Sequence, residues 1–211
     1  MALSRNYGYN VFVNCPFDRL YRRLFRAIVF SIIDCGFVPR CALEITDSSV
    51  ERLSKLFDLI ANCQLGIHDI SRTQRDSKNH LPRFNMPLEL GMFLSAKRFG
   101  DPSQKKKNCL IADTEMYRYQ KFISDIAGKD IKAHRNDVSK IIKIVRDWLA
   151  SFSNVLIPGA RKMHKKYTDF LRQLPQQCKD LDLLLADLTF VDYKLLAEAW
   201  LEKYDEERGS S

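Results

Sequence analysis

The sequence predicts an α/β fold: a three-layer sandwich in which helices cover both faces of a parallel sheet of about five strands, with a helical appendage at its C-terminal side. Two observations carry the prediction. Short apolar, β-branched runs alternate five times with segments whose apolar residues recur at helical spacing. From about Asn154 the alternation stops and only helical periodicity remains. The chain therefore divides into an α/β unit, 1–153, and a helical extension, 154–211.

YNVFVNC (Tyr9–Cys15) reads as a first buried strand, ended by Pro16. Asp18 opens a helix with Leu20, Leu24, Ala27, Ile28, Ile32 and Cys35 at helical spacing, and Gly36 closes it as the residue past the C-cap. FVPRCAL (Phe37–Leu43) is a second strand, which Pro39 assigns to an edge or an irregular end. The polar EITDSS supplies the cap for SVERLSKLFDLIANC, an amphipathic helix whose expected buried face is Val50, Leu53, Leu56, Phe57 and Ile60. QLGIHDIS (Gln64–Ser71) is a third strand, ending in Asp69. A long polar loop, RTQRDSKNHLPRFN, leads to a helix over Leu88 to Arg98. NCLIADT (Asn108–Thr114) is a fourth strand. EMYRYQKFISDIAG reads as helix stopping at Gly128, DIKAH as a short fifth strand, and NDVSKIIKIVRDWLASF as the last helix of the unit. The extension reads as two or three amphipathic helices, broken at Pro175 and near Thr189.

A chain of 211 residues suffices for one sizeable core and a small appendage. Hydrophobic content of 45% with 28% charged residues excludes a disordered chain. No apolar run reaches a membrane span, because Ser31 interrupts Ala27–Ile33 between Arg26 and Asp34, and MALSRNYGYN lacks the apolar region of a secretory signal. The 6 cysteines show neither CxxC nor Cys/His metal spacing, so reduced core thiols, a cytoplasmic location and no metal are expected. Residues 161–211 hold 9 Lys+Arg against 10 Asp+Glu, so the positive excess behind the net charge of +8 resides in the α/β unit, which holds 25 against 16, chiefly in RLYRRLFR and KRFGDPSQKKK. Such a balance suits anionic partners. Most of these cations fall on one helix face or in one loop, and no nucleic-acid-binding motif accompanies them, so nucleic acid is not the expected partner.

In a doubly wound sheet, ligands bind beyond the carboxyl ends of the strands. Those ends carry Asn14, Cys15, Pro16 and Phe17, then Arg40, then Asp69 and Ser71, then Asp113. Glu89 lies on the helix after the third strand. On a helical projection it falls between Ala96 and Phe93, on the apolar face shared with Leu88 and Met92. A carboxylate there is costly unless it is paired, solvated in a pocket or used. One reading makes it a first-turn acid or a cap near Asn85 and Pro87. The other makes it a reacting group. Asn14 could bond a ribose or phosphate, or form a turn. Phe17 could stack on a base or fill the core, Arg40 meet a phosphate or a surface acid, and Asn85 hold a ligand or cap the helix. With Pro16, Ser71 and Met86 these complete the candidate substrate-binding set. His68 reads as a packed strand residue, and His80 has no partner at ligand spacing. Neither a P-loop nor a GxGxxG is present.

YNVFVNCPFD followed by a helix resembles the first strand and loop of TIR domains and of the nucleoside 2-deoxyribosyltransferase-like fold. CQLGIHDIS, a loop, and FNMPLELGMFLSAKRFG resemble the deoxyribosyltransferase pattern more specifically: a strand ending in an acid, then a helix opening with Glu-Leu-Gly. The likeness covers roughly residues 9–150 and not the C-terminal helices. It implies a flavodoxin-like sandwich. It implies Glu89 as nucleophile or cation stabiliser and Asp69 as supporting acid in N-glycosidic cleavage of a nucleoside, nucleotide or NAD-type substrate. NAD or a nucleotide would be substrate, with no cofactor. It also implies homo-oligomers and work in bacterial stress or phage defence. The sequence departs from the family in its long basic loop between Asp69 and Glu89, where many transferases have a short glycine-rich approach; Arg72, Arg75, Lys78 and Arg83 make that loop a candidate phosphate clamp. Two other functions stay open. A non-catalytic nucleotide-sensing or self-assembly module would not need Glu89, and a basic nucleic-acid binder would show steep salt dependence.

Overall fold

The computed structural model describes residues 6–73 and 83–209. Five strands, β1 (Asn10–Asn14), β2 (Val38–Arg40), β3 (Leu65–Asp69), β4 (Asn108–Asp113) and β5 (Ile131–Ala133), form one all-parallel sheet. Their order, β2-β1-β3-β4-β5, is that of a flavodoxin-like doubly wound fold. β1 and β3 are buried along their whole length, which is why they are nearly continuous apolar runs rather than alternating ones. Alternate β1 side chains serve opposite layers: Val11 and Val13 join the core beneath α1 (Arg22–Asp34) and α4 (Val138–Leu149), while Phe12 joins that beneath α2 (Arg52–Ala61) and α3 (Asn85–Phe99). Gly66 makes the second layer fit. A Cβ there would lie 2.9 Å from the Phe93 ring, so its absence lets α3 approach the sheet.

Most expected elements are present, and their departures have local causes. Asp18 does not open α1 directly. Its Oδ1 accepts the Tyr21 N–H at 3.0 Å, building a turn ahead of a helix that starts at Arg22. Gly36 closes α1 at φ 80°, where a Cβ would be strained, and β2 with Pro39 is an edge strand, as expected. On α2 the buried residues are Leu56, Leu59 and Ile60; Val50, Leu53 and Phe57 are exposed, Phe57 by 51%. Leu88 on α3 is exposed as well. Residues 115–128 form no α-helix. Two 3-10 turns, Arg118–Lys121 and Ser124–Ile126, replace it after a left-handed Tyr117 at φ 62°. Buried Arg118 pins the first turn to the sheet, with Nε 2.7 Å from Asp113 Oδ1 and Nη2 2.8 Å from the Ile70 carbonyl.

The C-terminal helices are α5 (Ala160–Asp180) and α6 (Phe190–Gly209). They pack outside α1 and α4 as a fourth layer. Phe30 of α1 meets Tyr167, Phe170 and Trp200 at ring separations of 5.3, 5.4 and 6.1 Å, so one apolar core is continuous from sheet to extension. Lys166 of α5 is buried among them, its Nζ 2.8 Å from Asp34 Oδ1 and 2.9 Å from Asp205 Oδ1. The break near Thr189 is present, but Pro175 lies inside α5 and does not break it. It is exposed there and deprives the Leu171 carbonyl of its intrahelical donor. Pro175→Ala is therefore expected to raise stability by about 1–3 kcal/mol, seen as a higher urea midpoint. No helix among the described residues is long and apolar enough to cross a membrane.

Candidate functional site

The carboxyl ends of β1, β3, β4 and β5 converge on a buried polar network centred on Asp69. Its carboxylate is 0% exposed. Tyr21 Oη donates to Oδ2 at 2.6 Å and the Ser71 N–H to Oδ1 at 2.9 Å. His134 Nε2 faces Oδ2 at 2.9 Å, off the line of a straight hydrogen bond. His134 Nδ1 accepts the Asn136 N–H at 3.0 Å, which leaves the ring proton on Nε2, toward Asp69. Burial by itself pushes the Asp69 carboxyl up, but His134, Ser71 and Tyr21 together outweigh it and hold the group below the usual range. Tyr21 is pushed well up, first by burial and then by the Asp69 charge. Asp69 thus stands behind the sheet edge, fully buried with its partners in place. Tyr21→Phe removes a short charge-assisted bond and is expected to cost about 1.5–3 kcal/mol by urea unfolding.

Glu89 is the contrast. It lies in the second turn of α3, with Met86, Leu90 and Phe93 also on the buried side. The residue is 8% exposed, yet it makes no hydrogen bond or ion pair among the described residues. It caps nothing: Phe84 is the N-cap of α3, without a side-chain cap. Burial pushes its carboxyl up to about 7, partly opposed by the positive charge of Arg52 on α2. The capping and ion-pair readings of an acid at this position are therefore unfilled.

The remaining candidates divide. Asn14 Nδ2 donates to the Met86 carbonyl at 2.8 Å and sits 3.0 Å from His68 Nδ1, so it ties the end of β1 to the first turn of α3. It is itself buried. Met86 is buried and Pro16 with it, whereas Asn85 is exposed at the start of α3. Ser71 is buried, its Oγ without a partner. Arg40 does not belong to this site: its Nε meets Glu44 Oε1 and Oε2 at 2.8 and 3.1 Å in a forked pair on edge strand β2. Phe17 turns to the α1 side and packs edge-on against Phe25 at 5.3 Å. His68 is a packed residue as expected, between Phe12 and Phe93, and burial pushes it down to about 3, so it is neutral. Of the basic loop, Arg75 and Lys78, like His80, lie outside the described residues; Arg72 Nε and Arg83 Nη1 converge on Asp18 Oδ2 at 3.7 and 3.2 Å.

Sequence reasoning missed Tyr21 and His134 as partners of Asp69. One signal pointed to His134: it directly follows the short fifth strand, on the edge where Asp69 ends the third. All 6 cysteines are free, and 5 of them are buried. No group of three or more His, Cys, Asp or Glu able to hold a metal is found among the described residues. Comparison with family models, curated proteins and solved structures finds no match to this chain.

Proposed function

We propose that this chain cleaves or transfers the N-glycosidic bond of a nucleoside, nucleotide or NAD-type substrate. The observation that supports the reading is Glu89, a nearly buried carboxyl without a partner on the helix that follows β3. In the reaction the C1′–N bond breaks and the base leaves with the bonding pair: nicotinamide leaves neutral, whereas the base of an ordinary nucleoside or nucleotide takes up a proton from water. The developing positive charge at C1′ meets the Glu89 carboxylate, which stabilises it or bonds to it until water or an acceptor hydroxyl arrives. A carboxylate largely withdrawn from water stabilises that cation more strongly than a fully hydrated one. Asp69 acts through Tyr21 and Ser71, and Asn14 through Met86, as positioning residues. No metal is needed. The sequence likeness adds a cytoplasmic role in bacterial stress or phage defence.

The test is base release. Purified protein is incubated with NAD, NADP and a panel of ribo- and deoxyribonucleosides and nucleotides, and products are separated by chromatography. Release by wild type and its loss in Glu89→Gln support the proposal; no release from any substrate by folded wild type overturns it in favour of a binding module. The exposed Leu53 and Phe57 on α2 favour that second reading in its self-assembling form. It expects Leu53→Ser/Phe57→Ser to lower the molecular mass measured by light scattering.

A further inference from the structure

A cavity lies on the opposite side of the sheet from Glu89, where the loop after β1 and the helix α1 meet the start of α6. Its volume is about 340 Å³, within the range of small-molecule sites. Phe17, Phe25, Phe190 and Tyr193 wall it with aromatic rings, and Arg22 and Arg26 line it with two cations. Phe17 is 39% exposed. Arg22 Nη1 donates to the Ala186 carbonyl at 3.2 Å and Arg26 Nη2 to the Leu185 carbonyl at 3.4 Å, while the Arg26 guanidinium lies 5.2 Å from the Tyr193 ring centre. Neither guanidinium meets a carboxylate in an ion pair among the described residues. Each has five N–H donors and spends one on a backbone carbonyl, so several remain.

We propose that this cavity binds a small planar molecule carrying a phosphate, of the nucleoside monophosphate class, at a site separate from Glu89. Two uncompensated guanidiniums in a partly enclosed site favour an anion and suit the forked geometry of phosphate oxygens. The aromatic walls favour a planar ring beside it. The two arginines already hold the segment between α5 and α6 by its carbonyls, so a ligand here joins the extension to the α/β unit. Phe17 is three residues beyond Asn14, which holds the Met86 carbonyl of the Glu89 helix.

Calorimetric titration of the full chain with AMP, with adenosine and with inorganic phosphate tests this. AMP is expected to fill this cavity, which adenosine alone and phosphate alone fill at least about tenfold more weakly. Arg22→Gln/Arg26→Gln should weaken AMP by about tenfold or more, Phe17→Ala should weaken it too, and Glu89→Gln should leave this binding in place. Arg22→Gln alone, at an exposed position, guards against a folding defect in the double variant. No AMP binding, AMP affinity unchanged in folded arginine variants, or AMP binding abolished by Glu89→Gln overturns the proposal. Base release is read separately, so failure here leaves the glycosidase reading standing, and the reverse holds.

Discussion

Lys166→Met is expected to cost about 3–5 kcal/mol of stability, the penalty for leaving a buried carboxylate without its cation. Lys166 and Asp34 are both almost wholly withdrawn from solvent, whereas Asp205 is largely exposed. Burial pushes the Asp34 carboxyl above its usual range, although Lys166 opposes the rise, which marks how strongly the site disfavours an unpaired charge. Urea unfolding at neutral pH checks the prediction. Lys166→Met/Asp34→Leu should recover most of the loss, because replacing both charges by apolar groups removes the orphan. If the single variant unfolds at the wild-type midpoint, water or rearrangement already compensates Asp34.

Glu89→Gln is expected to do two opposite things. Under the glycosidase reading it lowers base release by a factor of 10² or more, about 3 kcal/mol or more of transition-state stabilisation. It is also expected to make the protein more stable at alkaline pH. The native carboxyl is raised to about 7 from 4.5, so between these values the native state holds the proton and the unfolded state does not. Stability contributed by the protonated form is thus full below pH 4.5 and is lost as pH rises to about 7. By pH 8 the ionised group costs on the order of 3 kcal/mol relative to acid conditions, and glutamine removes that cost. Urea midpoints of wild type and Glu89→Gln should nearly coincide at pH 4.5 and separate at pH 8, with the variant higher. Equal midpoints at both values would mean that water reaches the carboxylate freely. With Glu89 acting as an anion, base release should rise with pH through the neutral range.

The strands were legible because the sheet buries both of its faces, so VFV, LGI and CLIAD stand out against amphipathic surroundings. Gly36 and Pro39 each have one physical meaning, and both hold. The α2 face was not legible. Val50, Leu53 and Phe57 have the right spacing for burial, but which apolar stripe the sheet covers is settled by the neighbouring helix α3. Residues 115–128 misled for another reason: Tyr119, Ile123 and Ile126 recur at helical spacing, yet the Arg118 bonds to Asp113 and Ile70 hold the segment in tighter turns. Of the site, Glu89 was legible from its place on an apolar face. The occupied state of Asp69 was not, because its partners Tyr21 and His134 are 48 and 65 residues away in sequence.

The fourth layer has a consequence for synthesis on the ribosome. All five strands and α1 are made before Ala160, but the outer face of α1 around Phe30 is covered only by residues of α5 and α6. At typical elongation rates that stretch takes about 3–10 s to emerge. For those seconds the nascent chain carries a finished sheet with an uncovered aromatic back, the kind of surface that chaperones hold. Stalling in this interval should yield chains that aggregate even though every strand is present.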